Sequence, residues 1–251
     1  LSDEKYMEAM EEYGTKFDAG IGAEAGAALT AHTGVHHISF TGSVATGALV
    51  QQAAGKNVVP VTLELGGKSP QLVFSDADLD AALPFLVNAG IQNAGPTCSA
   101  SSRILVHRSR YDEVVAAMAD RYAALRAGPA LADLEVGPLV SQRQKEIVES
   151  FIAKGADLEM AAQGVLDDVA VNTGAYVLPT LFASVPVDHP LARDEIFGPV
   201  QVIIPFDTEE DAIRIANSTD YGLVAAVWTR DGARAFRMGR EIQAGRVWTN
   251  C

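Results

Sequence analysis

Short β-branched runs alternate with stretches of helical spacing from Asp18 onward, and this alternation constrains the fold most: it means α/β. The apolar runs His37 to Phe40, Val58 to Leu63, Gln71 to Phe74, Ile104 to Val106, Gln201 to Ile204, Val224 to Trp228 and Arg246 to Trp248 read as strands. Helices fall between them. Val44 to Ala54 forms one, and Leu79, Ala82, Leu83, Leu86, Val87 and Gly90 keep helical spacing after Asp78, a good N-cap. Pro84 should weaken or kink that helix beyond its first turn, and Gly95 and Pro96 should end it. Val114 to Leu125 and the segment following Ser141 mark two more, each with one apolar face for a sheet. Thr208 begins a short helix through Asn217, and Asp231 begins one that stops at Gly245. Gly155 to Thr173 is irregular and reads as surface loop. Residues 1 to 18, with six acids, two lysines and a stripe of Tyr6, Met10, Tyr13 and Phe17, read as an amphipathic surface helix.

Composition removes several classes of function. With 251 residues, 48% of them hydrophobic, the chain can bury a substantial core. Lys and Arg total 19 against 32 Asp and Glu, and the net charge of −13 leaves no basic field for a phosphate backbone, so nucleic acid is not an expected partner. No apolar stretch approaches the roughly 20 residues that span a bilayer, and the acidic start is unlike a secretory leader. No membrane association and a cytoplasmic location are therefore expected. Two cysteines, Cys98 and Cys251, are too few for a disulfide scaffold and lack zinc-binding spacing, so no metal site is expected.

Four segments carry possible chemistry. Phe40-Thr41-Gly42-Ser43-Val44-Ala45-Thr46-Gly47 joins a strand to a helix, where glycine lets backbone N–H groups approach a phosphate; such turns are also common structural devices. Gly20 to Gly26 has the spacing GxGxxxG with no clear strand before it, and reads as packing glycines. Leu63-Glu64-Leu65-Gly66-Gly67-Lys68-Ser69-Pro70 ends a strand in a carboxylate beside a double glycine, a place suited to a general base whose pKa a half-buried setting would raise. A solvated strand-end carboxylate fits the same residues. Cys98 stands among small residues in the loop Ala94 to Arg103, which leaves room for a substrate to reach sulfur, although a lone cysteine is commonly just a small buried hydrophobe. Ala192 to Val200 contains Glu195 and Phe197 before a Gly-Pro turn, and its carboxylate could accept hydrogen bonds from ribose hydroxyls or be an ordinary loop acid.

Taken together and in this order, FTGS, LELGGKSP, GPTCSASSR, DEIFGPV and AGRVWTN resemble the aldehyde dehydrogenase superfamily, from about Gly20 to Cys251. The resemblance implies a three-layer catalytic domain, residues 65–251, and at 1–64 the remnant of a Rossmann-like dinucleotide-binding domain. It also implies NAD or NADP as cofactor and a small aldehyde as substrate. Cys98 would be the nucleophile and Glu64 the general base that activates the hydrolytic water. Gly42, Ser43 and Gly47 would lie at the pyrophosphate, Leu65 and Gly66 at the nicotinamide end, and Glu195 with Phe197 at the nicotinamide ribose and ring. A glutamate at 64 favours hydrolysis over acyl transfer to coenzyme A. Pro96 and Ser101 stand where typical members have glutamine and glycine. Full-length relatives are close to twice as long, which implies a homo-oligomer or a complementing N-terminal half. A non-catalytic structural or assembly fragment of the same fold is the alternative. The particular aldehyde and the choice between NAD and NADP stay open.

Overall fold

A computed structural model describes residues 21–167 and 174–251. The amphipathic helix expected at 1–18, Gly20 and the last part of the 155–173 stretch lie outside the described residues. The chain divides into two compact units, which part between Leu65 and Gly66.

The first unit contains one βαβ motif. Strand β1 (Ile38–Thr41) pairs in parallel with β2 (Val61–Glu64), Ile38 opposite Val61 and Thr41 opposite Glu64. A short helix, α1 (Ala27–Thr30), precedes β1, and α2 (Val44–Lys56) makes the crossover that a parallel pair requires. Helix α2 buries Gly47, Val50 and Ala54, a stripe three and four residues apart. Strand β2 starts three residues later than expected. Val58 takes a left-handed φ of 56°, 89% exposed, while its own amide and that of Val59 bond back to Gly55 O and Ala54 O, so these residues finish the helix. Gly22 and Gly26 are not packing glycines: a methyl on either would meet nothing within 4 Å.

The second unit is a seven-stranded sheet in the order β11-β10-β3-β4-β9-β8-β6, from β3 (Pro70–Val73), β4 (Arg103–His107), β6 (Glu159–Gln163), β8 (Thr180–Ala183), β9 (Val200–Phe206), β10 (Val224–Trp228) and β11 (Arg246–Thr249). Only β6 runs antiparallel to its neighbour. A separate two-stranded pair joins β5 (Arg126–Ala127) to β7 (Val165–Leu166). Strands β3, β8 and β10 are buried throughout, as expected where both faces are covered.

Register shows which helices cover each face. Gln71, Ile104 and Ile203 stand abreast on one side; Pro70, Arg103 and Val202 stand abreast on the other. On the first side Gln71 and Gln201 reach the carbonyls of Phe85 and Leu86 in α3 (Leu79–Ile91), and Tyr122 of α4 (Tyr111–Ala124) donates to Gln201. On the second, Arg103 reaches the last carbonyls of the later helix Glu209–Ala216. The unit thus has three layers, with helices on both faces of the sheet.

The helix expected to weaken at Pro84 continues beyond it, and two further expectations are corrected. Helix α3 runs unbroken through Pro84 to Ile91. A proline inside a helix costs about 3 kcal/mol, whereas burying Leu83, Leu86 and Val87 on the same helix returns roughly 1.5–3 kcal/mol each. The irregular stretch from Gly155 contains strands β6 and β7 after α5 (Gln142–Lys154). Following α6 (Pro190–Arg193) and α7 (Glu209–Ala216), helix α8 (Gly232–Glu241) stops four residues short of Gly245. Ile242 turns to extended geometry and is buried, and Gly245 N–H bonds Gly222 O at 2.8 Å. No helix among the described residues is long and apolar enough to cross a membrane.

Candidate active site

In the first unit, the β1–α2 turn is fixed by two local contacts. Gly42 N–H donates to Glu64 O at 3.0 Å, extending the β1–β2 ladder by one bond, and Ser43 caps α2 by accepting from Thr46 N–H at 3.2 Å. The Val44 and Ala45 amides have no partner among the described residues, so the helix start keeps donors for an anion. Gly47 is buried, and a methyl there would sit 2.6 Å from the Leu65 side chain. This unit therefore joins Gly42 to Glu64 and Gly47 to Leu65. The Glu64 side chain is on the exposed side of β2, which replaces the half-buried setting expected from the sequence.

In the second unit the loop bearing Cys98 follows a sharp reversal. Helix α3 gives way to a single 3-10 turn, and Asn93, Ala94 and Gly95 all have positive φ, at 54°, 59° and 93°. Asn93 tolerates this and donates its side-chain amide to Pro96 O at 2.9 Å; Gly95 is needed because a methyl would fall 2.1 Å from the Gly198 carbonyl carbon. Cys98 itself is partly buried. Its carbonyl lies against Gly67, where a methyl would be only 2.3 Å away. The double glycine and the cysteine loop are therefore packed backbone to backbone.

The segment after α6 closes on the same place. Glu195 is half-buried and accepts from Gly67 N–H at 3.0 Å, while a methyl on Gly66 would run into its carboxylate. Burial pushes the Glu195 carboxyl up, against the pull of the Gly67 N–H and Lys68. Phe197 is 38% exposed with a left-handed φ of 57°. Gly67, Thr97, Ala100, Glu195 and Phe197 line one small cavity. Of the expected residues, this unit brings together Gly66, Glu195 and Phe197 and the backbone around Cys98.

Residues 16–251 match the model of the aldehyde dehydrogenase family. The chain belongs to the aldehyde dehydrogenase family. It is 44% identical over 226 residues to a betaine aldehyde dehydrogenase of Cereibacter sphaeroides, covering 90% of this chain and 47% of the relative. With human retinal dehydrogenase 2 it shares 42% identity over 238 residues, covering 92% and 45%. The structure of an aldehyde dehydrogenase from Bacillus cereus in complex with NAD+ superposes with a TM-score of 0.86 at 39% identity, covering 92% of this chain and 47% of that one. The chain thus spans about half the length of the relatives it matches.

Three residues support this candidate site without having been singled out from the sequence. Gln144, near the start of α5, donates to Ile196 O and Phe197 O at 3.2 and 3.0 Å and so holds the left-handed turn at Phe197. Buried Gln201 donates to Ser101 O at 2.6 Å and Leu86 O at 2.9 Å, fixing the far end of the cysteine loop to α3. Arg103 donates Nε to Lys68 O at 2.8 Å, tying that loop to the strand after the double glycine. Only Arg103 left a trace in the sequence, as the last letter of the cysteine motif. A glutamine on a helix or strand is not distinguishable by type from a solvated one.

Proposed function

We propose that the chain carries the reacting half of an NAD(P)-dependent aldehyde dehydrogenase, which oxidises an aldehyde to a carboxylic acid through Cys98. The observation that carries this reading is the packing of the Cys98 carbonyl on Gly67 while Glu195 and Phe197 flank the adjoining cavity. The residues suit the cofactor. Unpaired amides at the start of α2 suit a pyrophosphate, and the half-buried Glu195 carboxylate, with Gly66 leaving no side chain in its way, suits a pair of ribose hydroxyls. When bound, NAD or NADP would supply the hydride acceptor.

In this reading Cys98 Sγ adds to the aldehyde carbon, and the carbonyl oxygen takes up the negative charge. The amides of Cys98 and Ser99 make no hydrogen bond among the described residues, which leaves them as donors to that oxygen. After hydride leaves the same carbon, Cys98 holds the acyl group as a thioester. Glu64 takes a proton from water, the water oxygen adds to the acyl carbon, and collapse expels the Cys98 thiolate with the carboxylic acid. Splitting oxidation from hydrolysis replaces one difficult step by two easier ones. Gly42, Ser43, Gly47 and Leu65 are assigned to the cofactor together with Gly66, Glu195 and Phe197.

The test is aldehyde-dependent formation of NADH or NADPH by the purified chain over a panel of small aldehydes. Cys98→Ala should show none, and Glu64→Gln should release one equivalent of reduced cofactor and then stall. Turnover undiminished in Cys98→Ala would overturn the assignment, and a parent that never reduces cofactor would favour a non-catalytic structural or assembly fragment of the same fold.

A further inference from the structure

Lys68 and Arg103 are each only 1% exposed, and neither makes an ion pair among the described residues. Arg103 spends its N–H groups on neutral acceptors, the carbonyls of Lys68, Ile215 and Ala216 and the Ser218 hydroxyl. The end of α7 supplies two of these, and its dipole favours a cation there. Lys68 has no such arrangement. Its Nζ and the neighbouring Ser69 Oγ are buried with no hydrogen-bond partner among the described residues. A buried ammonium without a partner is expensive, and it either loses its proton or acquires a counter-charge.

The unpartnered Ser69 hydroxyl beside Lys68 suits the second outcome, since it offers a further donor to a counter-charge. Arg193 adds to the positive potential at Arg103, while the carboxylates felt at Lys68 are Asp194 and Glu195. Asp220 adds a third carboxylate at Tyr221, so three cations share the region with three carboxylates, none of which is ion-paired to Lys68 among the described residues. Lys68, Ser69 and Arg103 line one cavity together with Tyr221 and Gln243. It has room for about one water-sized centre, near 10 Å³. That space suits one small ion or water.

We propose that this cavity is a binding site for one monovalent anion of halide size, chloride in ordinary solution, held by Lys68 Nζ and Ser69 Oγ in the field of Arg103. The site lies on the second-layer side of the strand start that follows the double glycine, so an ion there would brace Lys68 without entering the cavity beside Cys98. Burial first, and then Arg103, pull the Lys68 amine down to about 7, against Asp194 and Glu195. Tyr221 faces the same region, and its phenol is pushed up chiefly by burial, so it stays neutral. Since the anion binds the ammonium form, its grip tightens below pH 7 and fades above it.

Crystals of the unmodified chain grown in bromide give the direct test. An anomalous peak beside Lys68 Nζ and Ser69 Oγ is expected; water-like density with no anomalous signal would overturn the proposal. In solution at pH 6 and constant ionic strength, replacing gluconate by chloride at tenfold its dissociation constant should raise Tm by about 3–6 °C. That rise should vanish at pH 9 and in Lys68→Met. Equal Tm in the two salts at pH 6, or the same rise in folded Lys68→Met, counts against the site. Should Lys68→Met fail to fold, the bromide experiment on the parent decides alone.

Discussion

The turn after β1 and the loop around Cys98 both present candidate site residues, but they are held by different means. The first relies on short-range contacts: a serine cap three residues from its target, one added ladder bond, and a glycine under a leucine. The second is clamped from a distance. Gly95 meets Gly198, Gly67 meets the Cys98 carbonyl, Gln201 holds Ser101, and Arg103 ties Lys68 to the end of α7. Local contacts leave a turn able to adjust to a ligand, whereas long-range buried polar contacts fix a loop before any ligand arrives. For a nucleophile that must meet its target in one geometry, the second construction is the suitable one.

Substitutions should separate the two constructions. The largest effect is expected from Arg103→Met, which strands the buried carbonyls of Lys68, Ile215 and Ala216. Urea unfolding should show a loss of about 3–5 kcal/mol, at roughly 1–3 kcal/mol for each buried acceptor left unsatisfied, and a loss under 1 kcal/mol would mean the clamp matters little. Gly95→Ala comes next. Its φ of 93° and the contact with the Gly198 backbone should cost about 2–4 kcal/mol and change the rate at which a thiol reagent labels Cys98. Ser43→Ala should be mildest, about 1 kcal/mol for the lost cap, with Cys98 labelling unchanged. If Ser43→Ala altered that labelling as much as Gly95→Ala, the contrast between local and distant fixing would fail.

Much of the fold was legible because the central strands advertise themselves. Runs such as Ile104 to Val106 and Val224 to Trp228 are continuous and apolar, and they are the strands covered on both faces. Strand β6 was not legible. Its sequence, Glu-Met-Ala-Ala-Gln, consists of good helix formers, and it is a strand because it pairs antiparallel with buried β8 and bulges between Met160 and Ala162. Strand β8, Thr-Leu-Phe-Ala, is likewise absent from the runs that read as strands. At the site, glycines and charged residues in motifs could be named from sequence. Gln144 and Gln201 could not, since their importance comes from what lies 52 and 100 residues away. Helix α3 shows the reverse case, a local rule against Pro84 overruled by the apolar face on either side of it.

The sheet order carries a cost during synthesis. Strands β3 and β4 emerge early and pair with each other, yet the free edge of β3 is completed only by β10, about 150 residues further along the chain. At ribosomal speeds of roughly 5–20 residues per second, that edge waits on the order of 10 s for its partner. During the wait it is an apolar, unpaired template open to any other strand. A nascent chain of this design has reason to depend on a holding chaperone until Val224 to Trp228 has left the exit tunnel.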